Sequence, residues 1–128
     1  IWTINPVTYA GVNSMTEALR SRFIGMAWNY PTSADIGKVI DWTDIEEATV
    51  KEPLLTLAQD VYALKLKGEV DYALSIRDIA QFANHYRSIV GTKKLATALS
   101  EVVLIKFAEP SERELVRLRI NDTFNLNI

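Results

Sequence analysis

Apolar residues recur along most of this chain at three- and four-residue spacings, and the exceptions sit at its start. Residues 1–5 (Ile-Trp-Thr-Ile-Asn) form a β-branched and aromatic run stopped by Pro6, which reads as a strand end followed by a loop through Tyr9, Gly11 and Asn13. Ser14 lies three residues before Glu17, the spacing at which a serine and a glutamate cap each other's amides, and this predicts a helix over 15–22. Residues 23–30 are apolar and aromatic and are closed by Pro31, so they read as a second strand. The opening quarter is thus strand–loop–helix–strand, an α/β pattern.

From Pro31 onward the pattern is helix after helix. Thr32 or Ser33 caps a segment with Ile36, Val39, Ile40 and Thr43 on one stripe. Pro53 suits the first turn of a second helix, with Leu54, Leu57, Ala58, Val61 and Leu64 on one face and Gly68 as its stop. Ser75 and Asp78 cap a third, which turns Ile79, Phe82, Ala83, Tyr86, Ile89 and Val90 inward and ends at Gly91. Leu95, Ala98, Leu99, Val102 and Val103 make a fourth stripe. Pro110 with a Ser111/Glu114 box starts a fifth helix through Ile120, and 123–128 alternate as a short strand would. The fold expected is mainly α: a helical bundle over 31–128, preceded by a short α/β piece over 1–30.

Composition narrows the chemistry. The chain has 128 residues, 48% of them hydrophobic, with 14 basic and 16 acidic side chains and a net charge of −2. That balance argues against a dedicated duplex-DNA binder, which needs clustered cations to displace counterions from phosphates. Cysteine is absent, which removes disulfides, thiol catalysis and thiolate zinc sites. The one histidine, His85, leaves little for a histidine-based metal site, so no metal is expected. The longest strictly apolar stretch, 23–28, is interrupted by Gly25 and falls short of the roughly 20 residues that span a bilayer. With no basic-then-apolar leader either, the expectation is a cytoplasmic domain with no membrane contact.

Few side chains stand out as chemistry. His85 has no serine to serve, and Asp44, Glu46 and Glu47 crowd a loop without the regular spacing of a cation cage. Arg20 and Arg22 fall at the carboxyl end of the first helix, where the helix dipole favours positive charge. Arg77 falls in the first turn after Ser75, where the dipole disfavours a cation, unless Asp78 compensates it. A residue that breaks a local rule is a candidate for function, and a guanidinium fork suits phosphate oxygens.

These residues resemble a family. Thr3-Ile4-Asn5-Pro6, then Tyr9 and Gly11, then Ala18-Leu19-Arg20-Ser21-Arg22-Phe23, is similar to the segment of AAA+ ATPases that runs from sensor 1 to the arginine finger, in the flavour of the MoxR-type (NorQ/CbbQ-like) group. Tyr30-Pro31 resembles that family's exit into its C-terminal lid. Leu74-Ser75-Ile76-Arg77 resembles the Leu-Ser-x-Arg that opens the lid helix bearing sensor 2. The resemblance implies that 1–30 is a remnant of a P-loop NTPase core and 31–128 the helical lid. Asn5 would be sensor 1, orienting the attacking water, and Arg22 the finger reaching into a neighbour's nucleotide. Arg20 would be an interface residue or the alternative finger, and Arg77 would contact the phosphates as sensor 2.

The same resemblance implies ATP and magnesium as cofactors of a parent protein, a hexameric ring, and a client protein to remodel. It also implies that the chain starts at the fourth core strand, cut from something longer. No Gly-x-x-x-x-Gly-Lys-Ser/Thr is present: the only Gly-Lys pair, Gly37-Lys38, is followed by Val39, with Thr32 where the first glycine belongs. No apolar strand ends in Asp-Glu to hold magnesium. The 128-residue chain alone is therefore expected neither to bind ATP tightly nor to hydrolyse it. Two rival readings stay open. One is a helical protein–protein interaction module with no nucleotide role. The other is a nucleic-acid-binding domain using Lys93, Lys94, Arg113, Arg117 and Arg119, although Glu112 and Glu114 interleave these and no aromatic platform accompanies them.

Overall fold

The computed structural model describes Thr16, Ser21, Arg22 and residues 29–128. The chain divides into two compact units, Ile1–Tyr30 and Pro31–Ile128. The two strands and the helix expected within 1–30, and with them the α/β remnant, lie outside the described residues, as do Asn5 and Arg20.

The regular elements of Pro31–Ile128 are all helical, with no strand among the described residues. α1 (Ser33–Asp41) is started by Thr32, whose Oγ1 accepts from the Asp35 amide at 3.2 Å while the Asp35 carboxylate accepts from the Thr32 amide at 3.1 Å. Each atom pair satisfies an amide that the first helical turn leaves orphaned. α2 (Ala48–Leu66) ends in a Schellman turn: Gly68, at φ +74°, donates to Lys65 and Glu69 donates to Leu64. Glycine suits that left-handed position because it has no Cβ to strain. α3 (Ile76–Ser88) is followed by α4 (Lys94–Ala98), a π-helical turn (Leu99–Val103) and a 3₁₀ turn (Leu104–Lys106). α5 (Pro110–Phe124) carries its proline in the first turn, where no amide is missed.

α1 packs on α2 and α3, α2 on α5, and α3 on α4 and the π turn. The core between them holds Leu57, Ala58, Val61, Phe82, Leu99, Phe107, Val116 and Ile120, all without exposure. Burying each of the larger of these side chains contributes about 1.5–3 kcal/mol before chain entropy is counted. No helix among the described residues is long and apolar enough to cross a membrane.

Several expected boundaries move. α2 begins at Ala48 rather than Pro53, because Val50, 3% exposed, extends the buried stripe one turn upstream. Pro53 sits inside the helix and forgoes one backbone bond there. α3 stops at Ser88, before Gly91, and Val90 points out, 97% exposed. The fourth stripe is not one α-helix: Leu104 donates to Leu99, five residues back, so the turn widens while Leu99 and Val103 stay buried. The Ser111/Glu114 box does not form, since Ser111 is already inside α5 and the Glu114 carboxylate pairs with Arg117. The expected strand over 123–128 is replaced by the end of α5. There Asn125 takes the left-handed conformation at φ 52°, and Leu126 donates to the Asn121 carbonyl.

Candidate functional site

The amino end of α3 holds the only buried charge among the described residues. Leu74, 2% exposed, anchors the chain just before the cap, and Ser75 adopts the extended conformation of a capping residue. The Ser75 hydroxyl accepts from the Asp78 amide at 3.3 Å. Asp78 is 3% exposed, and its Oδ2 accepts from the Ser75 amide at 2.8 Å, the Ser75 hydroxyl at 2.7 Å and the Tyr72 hydroxyl at 2.6 Å. Its Oδ1 faces the Lys106 ammonium at 3.1 Å, and that ammonium also donates to Gln81 Oε1 at 3.1 Å. The Tyr72 ring is set edge-on against Phe107, with centroids 5.9 Å apart, which fixes where its hydroxyl points.

Electrostatics follow from this crowding. Burial pushes the Asp78 carboxyl up, but the hydrogen bonds from Tyr72, Ser75 and Lys106 outweigh it and hold the group below its usual range. Burial, then the hydrogen bond to and charge of Asp78, push the Tyr72 phenol up to about 12. At neutral pH the cluster therefore joins an ionised carboxylate to a neutral phenol donor.

Arg77 stands beside the cluster without joining it. It is exposed, in the first turn of α3, and makes no hydrogen bond or ion pair with any described residue. Compensation of Arg77 by Asp78 is therefore corrected: the Asp78 carboxylate is committed to Ser75, Tyr72 and Lys106. Arg22 is exposed in a turn of the other unit. With Asn5 and Arg20 outside the described residues, nothing described brings the four expected site residues together. Tyr72 and Lys106 escaped the sequence reading. The position of Tyr72 just upstream of the cap was a faint signal, and Lys106 had none.

The remaining candidates resolve into surface pairs. His85 Nε2 meets the Glu101 carboxylate beside a groove of about 290 Å³ that Gln81, Val102, Ile105 and Lys106 also line. Asp44 pairs with Arg87, and the Tyr86 hydroxyl donates to Glu47 at 3.2 Å. No group of three or more acidic or histidine side chains among the described residues is placed to hold a metal ion. Of the five cations considered for nucleic acid, three have internal work. Arg113 donates to the Phe107 carbonyl, Arg117 to the Ile128 carbonyl and to Glu114, and Lys94 lies 3.9 Å over the Tyr86 ring.

Gly37-Lys38 lies within α1, where helical amides are already bonded, so it forms no phosphate cradle. The described residues thus build neither a complete nucleotide pocket nor a magnesium site of their own. Compared with known proteins, the chain matches no family model, no curated protein and no solved structure.

Proposed function

We propose that the chain is the C-terminal portion of an AAA+ ATPase of the MoxR type, in which Pro31–Ile128 is the lid and Arg77 contacts nucleotide phosphates. The reading rests on the order of motifs from Thr3-Ile4-Asn5-Pro6 through Leu-Ser-Ile-Arg, and it is supported by the helical unit that follows Pro31. The observation that carries it is Arg77: an exposed, permanently charged fork placed where the helix dipole opposes it, with the adjacent carboxylate turned inward. A bound anion would relieve that conflict with the dipole. Phosphate oxygens match the fork bidentately.

In this reading Asn5 is sensor 1, Arg22 the finger offered to a neighbouring protomer, and Arg20 an interface residue. ATP, magnesium, the hexameric ring and the client belong to the whole machine. The test is equilibrium binding of a fluorescent ADP analogue and ATP turnover by the full-length protein. Arg77→Ala weakens binding and turnover together, whereas Arg22→Ala abolishes turnover and spares binding. Fingers of this kind are worth roughly 10³–10⁵ in rate. Wild-type behaviour of both variants ends the assignment, as does magnesium-dependent ATP turnover by the 128-residue chain alone.

A second reading, a helical interaction module with no nucleotide role, is favoured by one specific feature. Trp42 and Val90 are 80% and 97% exposed, and the Asp44–Arg87 pair ties the loop after α1 to the last turn of α3, just before Val90. Full nucleotide affinity in Arg77→Ala, together with loss of partner recovery in Trp42→Ala, would favour that reading instead.

A further inference from the structure

Asp78 occupies the third helical position of α3, immediately after Arg77, and is the carboxylate nearest to it in sequence. Four donors hold its carboxylate away from Arg77. Three converge on Oδ2, from the Ser75 amide, the Ser75 hydroxyl and Tyr72, and the fourth, Lys106, takes Oδ1. The Ser75 contacts belong to the helix cap. The other two do not. Tyr72 reaches in from the loop before α3, and Lys106 reaches across from the 3₁₀ turn that follows the π turn. Lys106 is also the only cation within salt-bridge distance of Asp78 among the described residues. Without it a buried negative charge would stand next to the position offered to a polyanion.

We infer that Lys106 and Tyr72 are positioning residues for Arg77: they hold the Asp78 carboxylate inside the bundle and so leave the neighbouring guanidinium free for phosphate. The inference rests on the phosphate-contact reading of Arg77 and extends it to the segment after α4. Neither residue touches the nucleotide. Their effect passes through Arg77, which distinguishes them from residues that merely hold the fold.

The experiment is a double-mutant cycle in the full-length protein, read as the dissociation constant of N-methylanthraniloyl-ADP, with urea midpoints measured alongside. Lys106→Met raises the constant roughly three- to tenfold, at the lower end of the coupling seen between residues linked through one hydrogen-bond network. Lys106→Arg keeps it near wild type, because the positive charge on Oδ1 is retained. Tyr72→Phe keeps the ring against Phe107 and shifts the constant in the same direction by less, so it stands in if Lys106→Met folds poorly. The deciding result is the Arg77→Ala background, in which Lys106→Met adds nothing. Unchanged affinity in Lys106→Met and Tyr72→Phe, or a Lys106→Met effect that persists undiminished without Arg77, overturns the inference while leaving the phosphate contact standing. Wild-type affinity in Arg77→Ala by itself overturns the underlying reading, and the inference with it.

Discussion

Charged and aromatic side chains meet at both ends of α3, and the two ends are built from the same types of contact. At its amino end Asp78 accepts from Tyr72 and pairs with Lys106. At its carboxyl end Tyr86 donates to Glu47, and Arg87 pairs with Asp44. The difference is water. The Asp78 side chain is 4% exposed, whereas the Arg87 and Asp44 side chains are 50% and 71% exposed. Screening and side-chain entropy leave an exposed pair with little net worth, while a buried carboxylate depends on every donor around it. Even the two lowered carboxyl pKa values have different origins. Asp78 is lowered by donors that overcome its burial, Glu47 chiefly by its own backbone amide. Like contacts at the two ends therefore have unequal consequences, and mutation should expose this.

The largest expected effect is Asp78→Ala, which removes the carboxylate half of the capping box, strips Tyr72 of its acceptor and leaves Lys106 with Gln81 as its one remaining partner among the described residues. It should destabilise the fold by about 2–4 kcal/mol, measured by urea unfolding. A loss no greater than that of Arg87→Ala would erase the contrast. The same asymmetry has a pH signature. A carboxyl lowered in the folded state adds stability that is complete above its ordinary range and disappears as pH falls through the lowered value. A phenol raised from 10.0 to about 12 adds stability that is present below 10 and lost as pH climbs through 12. Asp78→Asn should flatten the acid limb of the unfolding free energy, and Tyr72→Phe the alkaline one. Retention of both limbs in these variants would mean that other groups produce them.

Smaller still is Gly68→Ala, a control in which charge plays no part. A Cβ there meets nothing within 4 Å, so the cost is only the left-handed backbone, about 1 kcal/mol. The smallest is Arg87→Ala, about 0.5 kcal/mol or less and further diminished in high salt. A cost above that of Gly68→Ala would show that the exposed end of α3 matters more than its solvation suggests.

Much of this architecture was legible where a decision is made within one turn. Ser75 with Asp78 was readable as a cap because donor and acceptor lie three residues apart. The structure resolves the choice between Thr32 and Ser33 in favour of Thr32, which caps with Asp35 at the same spacing. Gly68 was readable as a stop because its position demands a backbone that other residues resist. The same logic misled where a local signal was real but outweighed. Pro53 suits a first turn, yet burial of Val50 draws the helix past it. Ser111 and Glu114 have the box spacing, but Pro110 starts the helix one residue earlier and Arg117 claims the glutamate. At the site, Arg77 stood out through its conflict with the helix dipole, while Lys106 left no mark in the sequence.

The sequence by itself therefore determined the helical character of 31–128, the Ser75–Asp78 cap, and the presence of an arginine where a helix opposes it, because each is settled by neighbours a few bonds away. Tertiary structure alone decided the π turn at Leu99–Val103, the internal work of Arg113 and Arg117, and the turning of Asp78 toward Lys106. These depend on which surfaces meet once the helices pack. A buried charge takes the donors that packing brings within reach, and spacing along the chain does not encode them.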